Sequence, residues 1–118
     1  KVNRELLADG IEGIIHVDRD SGDPVPESGY RNLDNKPKFV ARLLARRAAL
    51  ELDYINEDEL GQSSSELADE MSASASTIQN YNSLDFVEND EERGGYYIPG
   101  YAVGAAVELL KDAQDDSE

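Results

Sequence analysis

"SSSELADEMSASASTIQNYNSL", Ser63 to Leu84, decides how this chain folds. Leu67, Ala68 and Met71 recur at helical spacing in a first segment, Ser64 to Met71, opened by a serine suited to capping. Ile78 and Tyr81, three apart, give a second helix from about Ala75 to Leu84. Between them stand only Ser72, Ala73 and Ser74, a short polar turn. Ala68 is the small residue that lets two helices cross closely, with Leu67 and Met71 beside it as core. Every inward position of a tight helix–turn–helix pair is therefore filled.

The flanks extend the pattern. Upstream, "NKPKFVARLLARRAALEL" (35–52) predicts a long helix. Asn35 is a candidate cap and Pro37 fits a first turn. Phe39, Val40, Leu43, Leu44, Ala48, Leu50 and Leu52 form its broad apolar face, with Arg42 and Arg46 on the other side. "DYINEDELGQ" (53–62) reads as a loop. Downstream, "DFVENDEERGGYYIP" reads as a β-hairpin with strands near Phe86–Glu88 and Tyr96–Ile98; Gly94 and Gly95 permit positive φ near the turn. One or two of Tyr96, Tyr97 and Tyr101 are expected to lock that hairpin onto the core. A last helix runs from about Tyr101 to Ala113, with Val103, Ala106, Val107 and Leu110 inward, followed by a frayed acidic tail.

The N-terminal part is less regular. Leu7, Ile11, Ile14 and Ile15 favour a helix within residues 3–17, although Gly10 and Gly13 weaken it by about 1 kcal/mol each. A short strand at Ile14 to Val17 is the alternative. Residues 18–35 are rich in Asp, Gly, Pro and Ser and read as loop, with room for an extended piece near Val25. Lys1 leaves room for an initiator methionine, a tag or further protein upstream.

On these residues, positions 36–110 resemble the winged helix-turn-helix family, and its archaeal transcription-regulator branch in particular. The resemblance implies a mainly α fold with a small β-hairpin. It implies an N-terminal arm, helix and loop over 1–35, a winged helix-turn-helix domain over 36–113 with a C-terminal helix, and an acidic tail over 114–118. The family's turn often carries glycine where Ser72 stands, so Ser72 must tolerate a strained backbone. In the family's docking mode the second helix enters the major groove. The base-contacting residues would then be Ser74, Ser76, Thr77, Gln79, Asn80 and Ser83; Gln and Asn suit adenine, and Ser and Thr several bases. The wing tip departs from the family: "ENDEERGG" offers Arg93 alone among carboxylates. Contacts to the DNA backbone would fall to Arg31, Lys36, Lys38 and Arg93.

Charge sets the difficulty. The 118 residues carry 26 acidic and 11 basic groups, net −15. Residues 31–47 hold six basic groups against Asp34 alone, while acidic stretches lie on both sides. An apolar fraction of 39% in periodic patterns argues against a disordered acidic chain. A carboxylate-covered surface resembles the haloarchaeal pattern, in which a Debye length of ~3 Å at molar salt screens self-repulsion. Counterion release then contributes little to any DNA binder, and hydrogen bonding, shape and dimerisation must replace it. Structural salt bridging by Arg46 and Arg47 is the competing use of the basic island.

Other chemistry is thin. There are no cysteines, hence no disulfide or thiolate metal site. His16 is the single histidine and reads as packed or half exposed. "DRDSGD" (18–23) is a turn rather than a calcium loop, because Asp23 stands where glycine is needed and Gly29 where the bidentate glutamate would be. No phosphate-binding loop, signal peptide or apolar run of membrane-spanning length is present. The expectation is a cytoplasmic, non-enzymatic protein without metal or cofactor. It would be a sequence-specific DNA-binding transcriptional regulator of a salt-adapted archaeon, acting at promoters as a homodimer through segment 2–17 and the last helix. The alternative is a winged-helix protein-interaction module in a larger assembly, with a basic protein as partner and no direct DNA contact.

Overall fold

The computed structural model of the chain describes residues 3–116, and side chains as far as Gln114. It is mainly helical with two small antiparallel hairpins. Six helices and four strands follow one another as α1 (Arg4–Ile11), β1 (Ile15–Val17), β2 (Pro24–Pro26), α2 (Ser28–Arg31), α3 (Asn35–Glu51), α4 (Ser64–Met71), α5 (Ala75–Asn80), β3 (Glu88–Asp90), β4 (Gly95–Tyr97) and α6 (Val103–Asp116).

The expected helix over 3–17 is corrected. Asn3 caps α1, its side chain accepting from the Leu6 N–H at 3.1 Å, but the helix stops at Ile11. Gly13 takes φ 79°, a turn no helix interior allows, and Ile15–Val17 continues as a strand. That strand pairs with Pro24–Pro26 in the register Ile15↔Pro26, His16↔Val25, Val17↔Pro24. The prolines have no N–H to give. The hairpin is closed instead by Glu27 N–H to Ile14 O at 2.8 Å and Asp18 N–H to Asp23 O at 2.9 Å. A second hairpin and the short helix α2 therefore stand where loop was expected.

α3 is the central support. Phe39, Val40, Leu43 and Leu44 are fully buried, each contributing about 1.5–3 kcal/mol by area removed from water. Its cap is Asp34 rather than Asn35, with no side-chain capping bond. Leu52, expected on the inner face, lies just past the helix end and is 49% exposed. α1 and α6 pack against each other and against α3, so Leu7, Ile11, Ile14 and Ile15 join one core with Leu43, Val103, Val107 and Leu110. The inner faces of α1 and α6 are thus spent within one chain. α6 runs through Asp116, so 114–116 are helical rather than frayed; Ser117 and Glu118 lie outside the described residues, as do Lys1 and Val2.

α4 and α5 pack together as their spacing requires, with Leu67, Ala68, Met71 and Ile78 buried. Ser63 and Glu66 form a reciprocal capping box at the start of α4. Ser72 ends it in the left-handed region, φ 55° and ψ 43°. α5 is shorter than expected, giving way at Tyr81–Ser83 to a tighter 3-10 turn. In the second hairpin Glu88↔Tyr97 and Asp90↔Gly95 pair, two residues later on the first strand and one earlier on the second than expected. Tyr96 and Tyr97 are buried and fix it to the core, whereas Tyr101 is exposed. Gln62, in a stretch read as loop, bridges to Tyr96 and adds a third edge to the hairpin. The approach needs glycine: a Cβ on Gly61 would come within 2.7 Å of the Gly95 carbonyl oxygen.

Candidate nucleic-acid interface

The outer row of α5 is open to solvent. Ser74, Ser76, Gln79, Asn80 and Ser83 are exposed, and Thr77 is half-buried. Ser74 caps the helix, its Oγ accepting from the Thr77 N–H at 3.2 Å and lying 3.1 Å from the Ser76 hydroxyl and 2.8 Å from the Thr77 hydroxyl. Ser83 donates to the Asn80 carbonyl at 3.2 Å. Gln79 and Asn80 are the two long polar side chains of the row. Beneath it Ile78 is fully buried and Tyr81 packs against Phe39 with the rings tilted by 46° and their centroids 5.1 Å apart. That contact ties the end of α5 to the first turn of α3. Burial pushes the Tyr81 phenol above its usual range, and the nearby charge of Asp34 adds to the shift.

The basic island divides in two. Arg42, Arg46 and Arg47 hold the fold. Arg42 is buried; its Nε donates to the Tyr30 hydroxyl at 2.7 Å and its Nη1 to Glu70 Oε1 at 2.9 Å. Gln62 Nε2 donates to the other Glu70 oxygen at 2.9 Å, so one part-buried network joins α2, α3, α4 and the hairpin edge. Arg46 lies 3.6 Å from Asp23 and donates to the Glu59 carbonyl. Arg47 donates twice to the Ile98 carbonyl, at 3.1 and 2.9 Å, and lies 3.7 Å from Glu51. Burial lowers its pKa, though Glu51 opposes the shift. Arg42 was expected on a solvent-facing side; the structure corrects this, because its buried guanidinium satisfies the buried Tyr30 hydroxyl and the partly exposed Glu70 carboxylate.

Among the described residues no ion pair engages Arg31, Lys36 or Lys38. Arg31 is exposed at the end of α2. The Lys38 ammonium lies 5.3 Å from the centroid of the Tyr30 ring. Lys36 lines a groove of about 610 Å³ against α6, shared with Glu108 and Asp112. The three cations thus lie at the end of α2 and in the first turn of α3. Arg93 is held by Asp90 at 3.5 Å and lies 5.1 Å over the Tyr97 ring. Among the acids of α4, Glu66 is occupied in the capping box and Glu70 by Arg42 and Gln62. Glu88 accepts from the hydroxyls of Tyr97 and Tyr101. That bond raises the Tyr101 phenol, and burial followed by the same carboxylate raises Tyr97.

The residues missed by sequence reasoning are Tyr30, Gln62 and Glu70, which orient α4 against α3. Nothing in their local sequence marks them, because their partners lie 8 to 28 positions away. No group of three or more His, Asp or Glu side chains among the described residues converges to hold a metal ion, and no helix there is long and apolar enough to cross a membrane. Compared with protein families, characterised proteins and solved structures, the chain matches none.

Proposed function

We propose that the chain is a winged helix-turn-helix regulator that reads duplex DNA with α5, as a dimer, at promoters of a salt-adapted archaeon. The observation that carries this reading is the uncharged outer row of α5: exposed amides and hydroxyls above a fully buried Ile78, on a helix face left open by the described residues. Gln79 and Asn80 have the donor–acceptor pairs that suit adenine in the major groove. Arg31, Lys36 and Lys38 are the available phosphate contacts. With so few cations, binding would depend weakly on salt: each phosphate neutralised contributes a slope of about −0.9 in log K against log salt.

The test is a selection of random duplexes in about 2 M potassium chloride, where screening acts within a few ångströms. Enrichment of one sequence, lost in the Gln79→Ala/Asn80→Ala double variant, supports the proposal. A flat selection at both high and low salt refutes it.

The hairpin tip supports a second reading. Arg93 is engaged by Asp90 and Tyr97, while Glu91 and Glu92 are exposed, so the wing presents net negative charge. A protein-interaction module with a basic partner fits that tip better than DNA does. A flat selection together with stoichiometric capture of a basic protein by the α5 face would establish this alternative.

A further inference from the structure

We infer that the groove between α1, β1 and the end of α3 binds a lipophilic organic cation. Its volume, about 510 Å³, falls within the range of small-molecule sites. Its floor is apolar: Leu7, Ile11, Ile15 and Ala48 line it from the core side. Leu52 lines it too, and with Tyr101 it is one of the two large hydrophobics left exposed among the described residues. Such a surface is costly to leave in water and is matched by an apolar occupant.

Charge selects the kind of occupant. Asp9, Glu12, Glu27 and Glu51 stand around the floor against one fixed cation, Arg4, whose Nη2 donates to the Glu51 carbonyl at 2.9 Å. Glu27 lies 3.3 Å from His16 Nδ1, and Glu51 lies near Arg47. Asp9 and Glu12 are exposed and have no ion pair among the described residues. The half-buried Tyr54 adds an aromatic ring to the wall. An organic anion would meet uncompensated carboxylates, and a bare metal ion would leave the apolar floor uncovered. A cation carried on an apolar body satisfies both. The groove is built from elements other than α5, so this inference stands or falls apart from DNA binding.

The test uses the full chain and tetraphenylphosphonium as probe. Titration calorimetry and amide NMR in about 0.5 M sodium chloride screen the general attraction of an acidic chain to ~4 Å. We expect saturable single-site binding, with shifts confined to α1, β1 and the end of α3. Tetraphenylborate has the same shape and the opposite charge, and should bind at least about tenfold more weakly, since like charges oppose it. Ala8→Phe, from an exposed position on the groove wall, should fill the site and abolish binding while the circular dichroism is unchanged. Asp9→Asn/Glu12→Gln should weaken it. Equal binding of the two ions, shifts scattered over the acidic surface, or full binding by Ala8→Phe would overturn the inference. So would intermolecular NMR contacts showing that a second copy of the chain occupies the groove.

Discussion

Helices α3 and α5 both carry a row of polar side chains, and the two rows have opposite fates. On α3, Arg42, Arg46 and Arg47 turn inward and find a tyrosine, four carbonyl groups and three carboxylates between them. On α5, Ser76, Gln79, Asn80 and Ser83 stay outside, bonded at most to their own turn. Reach explains the difference. A guanidinium on a long stem presents five donors and can satisfy several buried acceptors at once, which offsets its desolvation. Short hydroxyls and amides on a six-residue helix have no such partners within range. In a chain this poor in cations these three arginines are taken up by the fold, and the proposed recognition falls to uncharged groups.

The contrast can be broken most severely at Arg42. Arg42→Ala should destabilise the chain by roughly 3 kcal/mol, toward the lower end for a broken buried pair because the Glu70 side chain retains 36% exposure. The Arg42→Met/Glu70→Leu double variant should recover much of that loss. Urea unfolding at fixed salt measures both, and equal losses in the two would show that the pairing is not what matters there.

Beneath the α5 row, Ile78→Ala should cost about 2–4 kcal/mol through the cavity it leaves. Gln79→Ala, one position along and outside, should stay within about 0.5 kcal/mol. Similar costs for the two would mean that the inner and outer faces of α5 have been misassigned. At the turn between α4 and α5, Ser72→Gly should stabilise the chain by about 1 kcal/mol or less, because glycine relieves a left-handed residue at little steric cost. A loss of stability would instead give the serine side chain a role of its own.

The smallest effect lies at the β3–β4 hairpin. The phenols of Tyr30, Tyr81, Tyr97 and Tyr101 are all raised, so the folded chain retains protons that the unfolded chain releases. Their contribution to stability is full below about pH 10 and is lost as pH rises through the folded values. Glu88→Gln should bring the Tyr101 phenol back toward its ordinary value. Tyr97 should move less, since burial is its first cause. Carbon-13 NMR of labelled tyrosine follows each ring separately.

What was legible in the sequence was local. A capping serine announces the start of α4, the spacing of Leu67, Ala68, Met71 and Ile78 fixes the inner face of the pair, and Ser72 marks the turn between. The open row of α5 follows from the same periodicity. What was not legible depends on distant partners. Gly61 and Gln62 read as loop until Gly95 and Tyr96 lie against them, and Arg42 reads as a surface cation until Tyr30 and Glu70 enclose it. The β1 and β2 strands were legible only as alternatives, near Ile14 to Val17 and near Val25, and their pairing was not, because three-residue strands with two prolines carry no alternation to detect.

The central claim is that the uncharged face of α5 reads bases. It is tested most directly by the affinity of the selected duplex for the wild-type chain and for Gln79→Ala/Asn80→Ala in about 2 M potassium chloride, where counterion release contributes little. The double variant should lose about 1–3 kcal/mol per base contact removed, with its unfolding midpoint unchanged. Equal affinity of the two proteins for that duplex would contradict the account.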